Sequence, residues 1–173
     1  MRLIKMRKYS IIYPMNPELK TFVRDNFKDL SKIKALDLGC GDGADIDGLK
    51  KLGMSVEGVD IMTGTDLNFI YNSPSAPFDF IYSNYVIHKL KCPESLIKTI
   101  AQNLVQSGKF FLQTFDKTDK YAKNAFDEDS IRKLFRNSTL VIEDISVFPV
   151  FDDEPGHAHY HQILQIVGHK ILA

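Results

Sequence analysis

Asp37, Gly39, Gly41, Gly43 and Asp60 are the residues of this 173-residue chain whose types and spacing could do chemistry. The glycines alternate behind an acid in the run Asp37-Leu38-Gly39-Cys40-Gly41-Asp42-Gly43, and Asp60 follows 21 residues after Gly39. Without Cβ atoms, glycines accept φ > 0 and let the backbone approach a ligand closely. A glycine turn between a strand and a helix is how an open α/β sheet holds a nucleotide-like cofactor, and the helix start behind it supplies unpaired N–H groups. An acid at the tip of the next strand is placed to accept hydrogen bonds from both hydroxyls of a ribose.

The elements needed to hold these residues are legible around them. Lys34 to Leu38 reads as a short buried strand, and Ala44 to Leu52 as a helix with Ile46, Leu49 and Leu52 on one face. Ser55 to Ile61 reads as the second strand. Upstream, Asn16-Pro17-Glu18 is a helix start, followed by Leu19, Phe22, Val23, Phe27 and Leu30 at helical spacing. Only 17 residues separate Asp60 from the next clear strand, Phe78 to Tyr82, too few for a full helix and another strand. The expectation there is a turn at Thr63-Gly64, a stub of strand at Asp66 to Ile70, and a proline-rich loop. Cys92-Pro93-Glu94 opens a helix expected to end at Ser107-Gly108, and Lys109 to Phe115 is an apolar strand. Asp116 to Phe126 reads as a polar loop, Asp127 as a helix cap, and about Thr139 to Phe148 and Tyr160 to His169 as two final strands.

The glycine spacing bears on which cofactor this is. Dinucleotide folds prefer G-x-G-x-x-G, with pyrophosphate at the helix start. Here the spacing is G-x-G-x-G, and Asp37 points from the strand toward the loop, a poor neighbour for pyrophosphate and a good one for a cation. S-adenosylmethionine carries an ammonium, a sulfonium and a ribose, so acids at both ends suit it. The run D-L-G-C-G-D-G resembles motif I of class I S-adenosylmethionine-dependent methyltransferases, and V-E-G-V-D-I resembles their second motif. The resemblance covers about residues 33–170, with the specific motifs in roughly the first 60 of them.

That resemblance implies an α/β doubly wound three-layer sandwich, a Rossmann-like methyltransferase fold. Its seven-stranded, mostly parallel sheet has an antiparallel last strand; in this chain the third strand and the helix before it are reduced. It implies a single domain over 1–173, with residues 1–30 as an arm and helix able to act as a lid. Asp37 would bind the methionyl ammonium, and Gly39, Cys40, Gly41 and Gly43 would bring backbone groups to the amino-acid part. Asp60 would hold the ribose hydroxyls, Ile61 would pack on the adenine face, and Asp66 and Leu67 would meet the adenine edge. Ser83 and Asn84 would line the pocket beside the switch point where strand order reverses. On the acceptor side stand Tyr85 and His88, the alternating His157, His159 and His161, and the arm residues Tyr9 and Tyr13. Plainer readings stand beside these: Asp37 as a backbone cap, Ile61 as core, His88 as a turn residue, and the histidines as an exposed hairpin. A metal site among the histidines is the less favoured reading, and no catalytic base is identified.

The 22 basic and 22 acidic residues cancel, leaving no electrostatic footprint for nucleic acid and no polybasic membrane patch. No apolar run reaches membrane-spanning length, and Cys40 and Cys92 have neither metal nor disulfide spacing, so a cytoplasmic protein is the expectation. The function expected is in-line methyl transfer from S-adenosylmethionine to a small-molecule acceptor whose identity the sequence leaves open, as it does the oligomeric state. The main alternative is a non-catalytic S-adenosylmethionine-binding module or partner subunit. A nicotinamide oxidoreductase and an aminopropyl transferase are remoter rivals.

Overall fold

The computed structural model describes residues 15–152 and 158–172. Helix α1 (Pro17–Asn26) begins where the Asn16 side chain accepts the Leu19 N–H, with proline in the first turn. Strand β1 (Lys34–Leu38) leads through the glycine turn into α2 (Ala44–Lys51), and β2 (Ser55–Val59) follows. Beyond a 3-10 turn at Ile61–Thr63 come β3 (Phe78–Asn84), α3 (Pro93–Asn103), β4 (Leu104–Phe115) and α4 (Glu128–Phe135). The strands β5 (Leu140–Asp152) and β6 (His159–Lys170) complete the order.

The six strands form one sheet in the order β2-β1-β3-β4-β6-β5. β2, β1, β3 and β4 are parallel, and β6 enters antiparallel between β4 and β5. Alternation along the strands divides the core. Leu36, Leu38 and Ile81 face the layer holding Leu96, Ile100 and Ile131, while Ala35, Phe80 and Tyr82 face Leu19, Val23 and Leu49. Phe22 and Phe27 of the second layer pack on Phe80 at 5.6 and 5.5 Å between ring centres. Helices on both faces of a mostly parallel sheet make the expected three-layer sandwich.

Two expectations need correction. Among the described residues the sheet has six strands, not seven, and the stub expected at Asp66 to Ile70 does not pair with β2. The segment is tied to α3 instead, through its own Asn68 side chain at the start of that helix and, just beyond, through side chains along it. Asn68 Oδ1 accepts the Lys91 and Cys92 N–H groups, Tyr71 N–H donates to Thr99, and Asn103 both accepts from Ser73 N–H and donates to the Tyr71 carbonyl. α3 also stops at Asn103 rather than at Ser107-Gly108. Leu104 is already paired with Phe78, and the chain bulges until Lys109 pairs with Phe80, with Ser107 at φ 61° in the bulge. No helix among the described residues is long and apolar enough to cross a membrane.

Candidate functional site

β2 lies on one side of the β1–β3 pair and β4 on the other, so the winding direction reverses between β1 and β3. In open α/β sheets the crevice at the carboxyl ends of such strands takes the ligand. A cavity of about 630 Å³ lies there. Its lining includes Asp37, Gly39, Cys40 and Gly41 from β1 and the glycine turn, Asn84 and Tyr85 from the end of β3, and Phe115, Phe151 and His161 from β4, β5 and β6.

Asp37 is 3% exposed. Burial first, then the Asp45 and Asp60 carboxylates, raise its pKa well above the usual carboxylate range, against the lowering influence of the Tyr82 hydroxyl. Among the described residues, no cationic side chain is one of the groups acting on it. Burial, then Asp37 and Asp60, likewise push up the Cys40 thiol, so this sulfur is no thiolate nucleophile.

Part of the expected supply of free N–H groups is engaged within the glycine turn itself. Gly39 and Cys40 N–H both donate to the Val59 carbonyl at 2.8 and 3.1 Å, Gly41 N–H to Asp60 at 3.0 Å, and Gly43 N–H to the Cys40 carbonyl at 2.9 Å. Ala44 N–H, at the helix start, donates to Asp42 at 3.3 Å. With these five donors engaged, the Asp37 and Asp60 carboxylates and the turn carbonyls dominate this end of the site and favour a cation. Gly39 is held to glycine twice over: its φ is +88°, and a Cβ there would stand 2.2 Å from Val86.

Asp60 closes the turn from the β2 side, accepting Gly41 and Met62 N–H while Thr63 caps its own N–H. It adjoins the glycine turn without itself lining the cavity. Ile61 beside it is 63% exposed, an unusual setting for a large apolar residue. Asp66 accepts both the backbone and side-chain N–H groups of Asn68, and the Leu67 side chain lies in the core. The Ser83 hydroxyl donates to the Leu38 carbonyl at 2.6 Å, tying β3 to β1. Asn84 donates to Asp45, which also accepts Asn16 N–H, and the buried Asn84 Oδ1 has no hydrogen-bond partner among the described residues.

Phe115 packs against Tyr85, His88 and His161 at 5.5, 4.8 and 4.9 Å between ring centres. His88 sits behind this wall with Nδ1 3.3 Å from the Thr114 hydroxyl, and burial, then Lys89, lowers its pKa to about 4. His161 and His159 are joined through their Nε2 atoms at 3.0 Å, and Asp119 lies 2.8 Å from His161 Nδ1. The structure therefore brings His161 to the cavity, sets His159 behind it, and leaves His88 off the lining. Tyr9, Tyr13 and His157 lie outside the described residues.

Asp45, Asn16, Phe115 and Asp119 were not singled out from sequence. Asp45 and Asn16 carried a weak signal as first-turn acid and N-cap. Asp119 carried none, because its partner His161 is 42 residues away.

The family described as "Methyltransferase domain" matches residues 13–165. Among curated proteins, the mitochondrial ubiquinone biosynthesis O-methyltransferase of Rattus norvegicus is 26% identical over 64% of this chain and 42% of its own length. The ubiquinone biosynthesis O-methyltransferase of Glaesserella parasuis is 25% identical over 63% of this chain and 56% of its own. The chain thus spans about half the length of these curated relatives. Among solved structures, TehB from Haemophilus influenzae superposes with a TM-score of 0.70 at 18% identity, over 90% of this chain and 62% of that one. A SAM-dependent methyltransferase from Methanosarcina mazei gives 0.70 at 15% identity, over 93% and 100%. These structural likenesses show the fold.

Proposed function

The chain belongs to the class I S-adenosylmethionine-dependent methyltransferase family, and from that premise we propose that it methylates a small-molecule acceptor bound against the aromatic lining of the Asp37 cavity. The observation that carries this reading is the buried Asp37 carboxylate, on which no cationic side chain acts among the described residues, beside the carbonyls and carboxylates of the glycine turn. One sheet with a core on each face supports taking residues 1–173 as a single cofactor-binding domain.

When bound, S-adenosylmethionine supplies an activated methyl group on a sulfonium. Asp37 faces the ammonium, with Asn84 Oδ1 as a further acceptor nearby. Gly39, Cys40, Gly41 and Gly43 shape the cradle for the amino-acid part with their carbonyls. Asp60 keeps lone pairs for the ribose hydroxyls after accepting its two N–H groups. Ile61 offers its exposed side chain to the adenine face, and Asp66 and the Leu67 backbone offer partners at its edge. Ser83 serves by fixing β1 beside β3.

Tyr85, Phe115 and Phe151 then hold the acceptor in line with the methyl group and exclude water, work worth up to roughly 7–11 kcal/mol in well-oriented systems. The balanced net charge supports a small acceptor over nucleic acid. The curated relatives are named for O-methylation, which supports oxygen as the atom methylated.

The test pairs calorimetric titration with S-adenosylhomocysteine and labelled methyl transfer to a metabolite extract. Binding with a labelled small-molecule product is the expected result. Binding without transfer supports a cofactor-binding module instead, and no binding removes the proposal.

A further inference from the structure

We infer that Asp119 and His161 form the base that takes the proton from a hydroxyl acceptor, so that the acceptor is a flat apolar molecule carrying a phenol-like hydroxyl. This deepens the methyltransferase reading and rests on it.

Asp119 lies in the loop between β4 and α4, and its side chain is fully buried. Oδ1 accepts Tyr121 and Ala122 N–H at 2.8 Å each, and Oδ2 meets Gln162 N–H at 2.7 Å and His161 Nδ1 at 2.8 Å. Burial pushes this carboxyl's pKa up, but those N–H groups and His161 outweigh it and leave the pKa below the ordinary value. The carboxylate can only accept, so Nδ1 carries a proton, and in the neutral imidazole the lone pair falls on Nε2.

Nucleophile activation on this plan needs a base whose other nitrogen is held by a third group. His161 meets that requirement, and it lines the same cavity as Asp37 with its side chain 17% exposed. Its Nε2 stands 3.0 Å from His159 Nε2 and 3.8 Å from Asp152 Oδ2, and Tyr121 lies edge-on to its ring at 6.0 Å. Lys89 is the cationic side chain among the described residues lining the cavity. An arriving hydroxyl takes the place of the His159 ring at Nε2. The walls around that point, Tyr85, Phe115, Val150, Phe151 and Ile163, are aromatic or aliphatic and suit a flat apolar body. The described residues hold no cluster suited to a metal ion.

The step balances. The hydroxyl proton passes to His161 Nε2 as the oxygen's electron pair forms the O–CH₃ bond. The S–CH₃ bond breaks with its pair staying on sulfur, and the imidazolium later returns its proton to water.

The experiment compares wild type with His161→Gln and Asp119→Asn, using phenol, catechol and resorcinol as hydroxyl probes and thiophenol as a soft probe. S-adenosylhomocysteine affinity should stay within about twofold in both variants. Phenol methylation should fall on the order of 10²- to 10⁴-fold in His161→Gln, the usual range for a lost general base, with the acid limb of its pH–rate profile gone. Thiophenol, which ionises without help, should lose far less than phenol, so that the phenol-to-thiophenol rate ratio falls in His161→Gln. In the wild type, ¹⁵N NMR should show His161 Nε2 without a proton and shifting on catechol addition, a readout that stands even if a variant fails to fold. If wild type binds S-adenosylhomocysteine yet methylates only thiophenol or no probe, the base assignment is overturned. A normal phenol rate in His161→Gln, or a protonated Nε2 in the wild type, also overturns it. Absence of S-adenosylhomocysteine binding would instead remove the methyltransferase reading beneath it.

Discussion

Replacing Asp37 with asparagine keeps the side chain's size and removes its charge, and the structure sets opposite signs for the two consequences. Asp37 is 3% exposed and faces two further carboxylates, Asp45 and Asp60, so its ionised form is held in the cofactor-free protein at a cost. A carboxyl whose folded pKa lies above its unfolded value binds its proton more tightly in the native state. Its contribution to stability is therefore most favourable below the unfolded value, about 3.9 for aspartate, and declines as pH rises through the folded one. Asp37→Asn should thus melt higher than wild type at neutral pH, with the gain vanishing below about pH 4. Binding moves the other way. A hydrogen bond to a charged group is worth roughly 1.5–3 kcal/mol, so the variant should bind S-adenosylhomocysteine about ten- to a hundredfold more weakly. Thermal scans across pH and calorimetry at pH 7 read both effects. A variant that melts lower at pH 7 and binds as tightly as wild type refutes the assignment of Asp37 to a cationic ligand.

Asp60→Ala should weaken cofactor binding at least about tenfold and, by freeing the Gly41 and Met62 N–H groups, cost about 0.5–2 kcal/mol of stability; unchanged calorimetry removes Asp60 from the ribose. Gly168→Ala should destabilise by more than about 3 kcal/mol, because the new Cβ would lie 1.9 Å from the Val141 carbonyl oxygen of the adjacent strand. A denaturant midpoint equal to wild type would show that β5 and β6 part there freely. His88, its folded pKa lowered to about 4, favours the native state fully above its unfolded value of about 6.5, and loses that contribution as pH falls toward 4. His88→Asn should flatten the stability profile between those limits, and an identical slope in the variant excludes His88 as its source.

The parts of the fold legible in sequence were those governed by neighbours along the chain. Asn16 capping α1, Asp127 capping α4 and the apolar run of β1 each announce themselves within a few residues. The misreadings share a different cause. Asp66 to Ile70 reads as a strand stub, but Asn68 is tied to the Lys91 and Cys92 N–H groups, and Tyr71 and Ser73 just beyond it bond to Thr99 and Asn103 of α3, some 30 residues on. The end of α3 was misplaced because Gly108 looked like a stop, whereas the Leu104 pairing with Phe78 ends the helix earlier. The site divides the same way. Asp37, the glycines and Asp60 sit in one local pattern. Asp45 meets Asn84 across 39 residues and Asp119 meets His161 across 42, and no pattern of residue types reports such distances.

β5 and β6 run on past Phe115–Ile163, the last pair that β6 makes with β4, as far as Asp152 and His159. Val150, Phe151 and His161 thus stand on a two-stranded extension of the sheet that lines the crevice. On the proposed reading, substitutions at Val150, Phe151 or His161 would change which acceptor is taken while leaving Asp37 and the glycine turn, which would hold the donor, as they were.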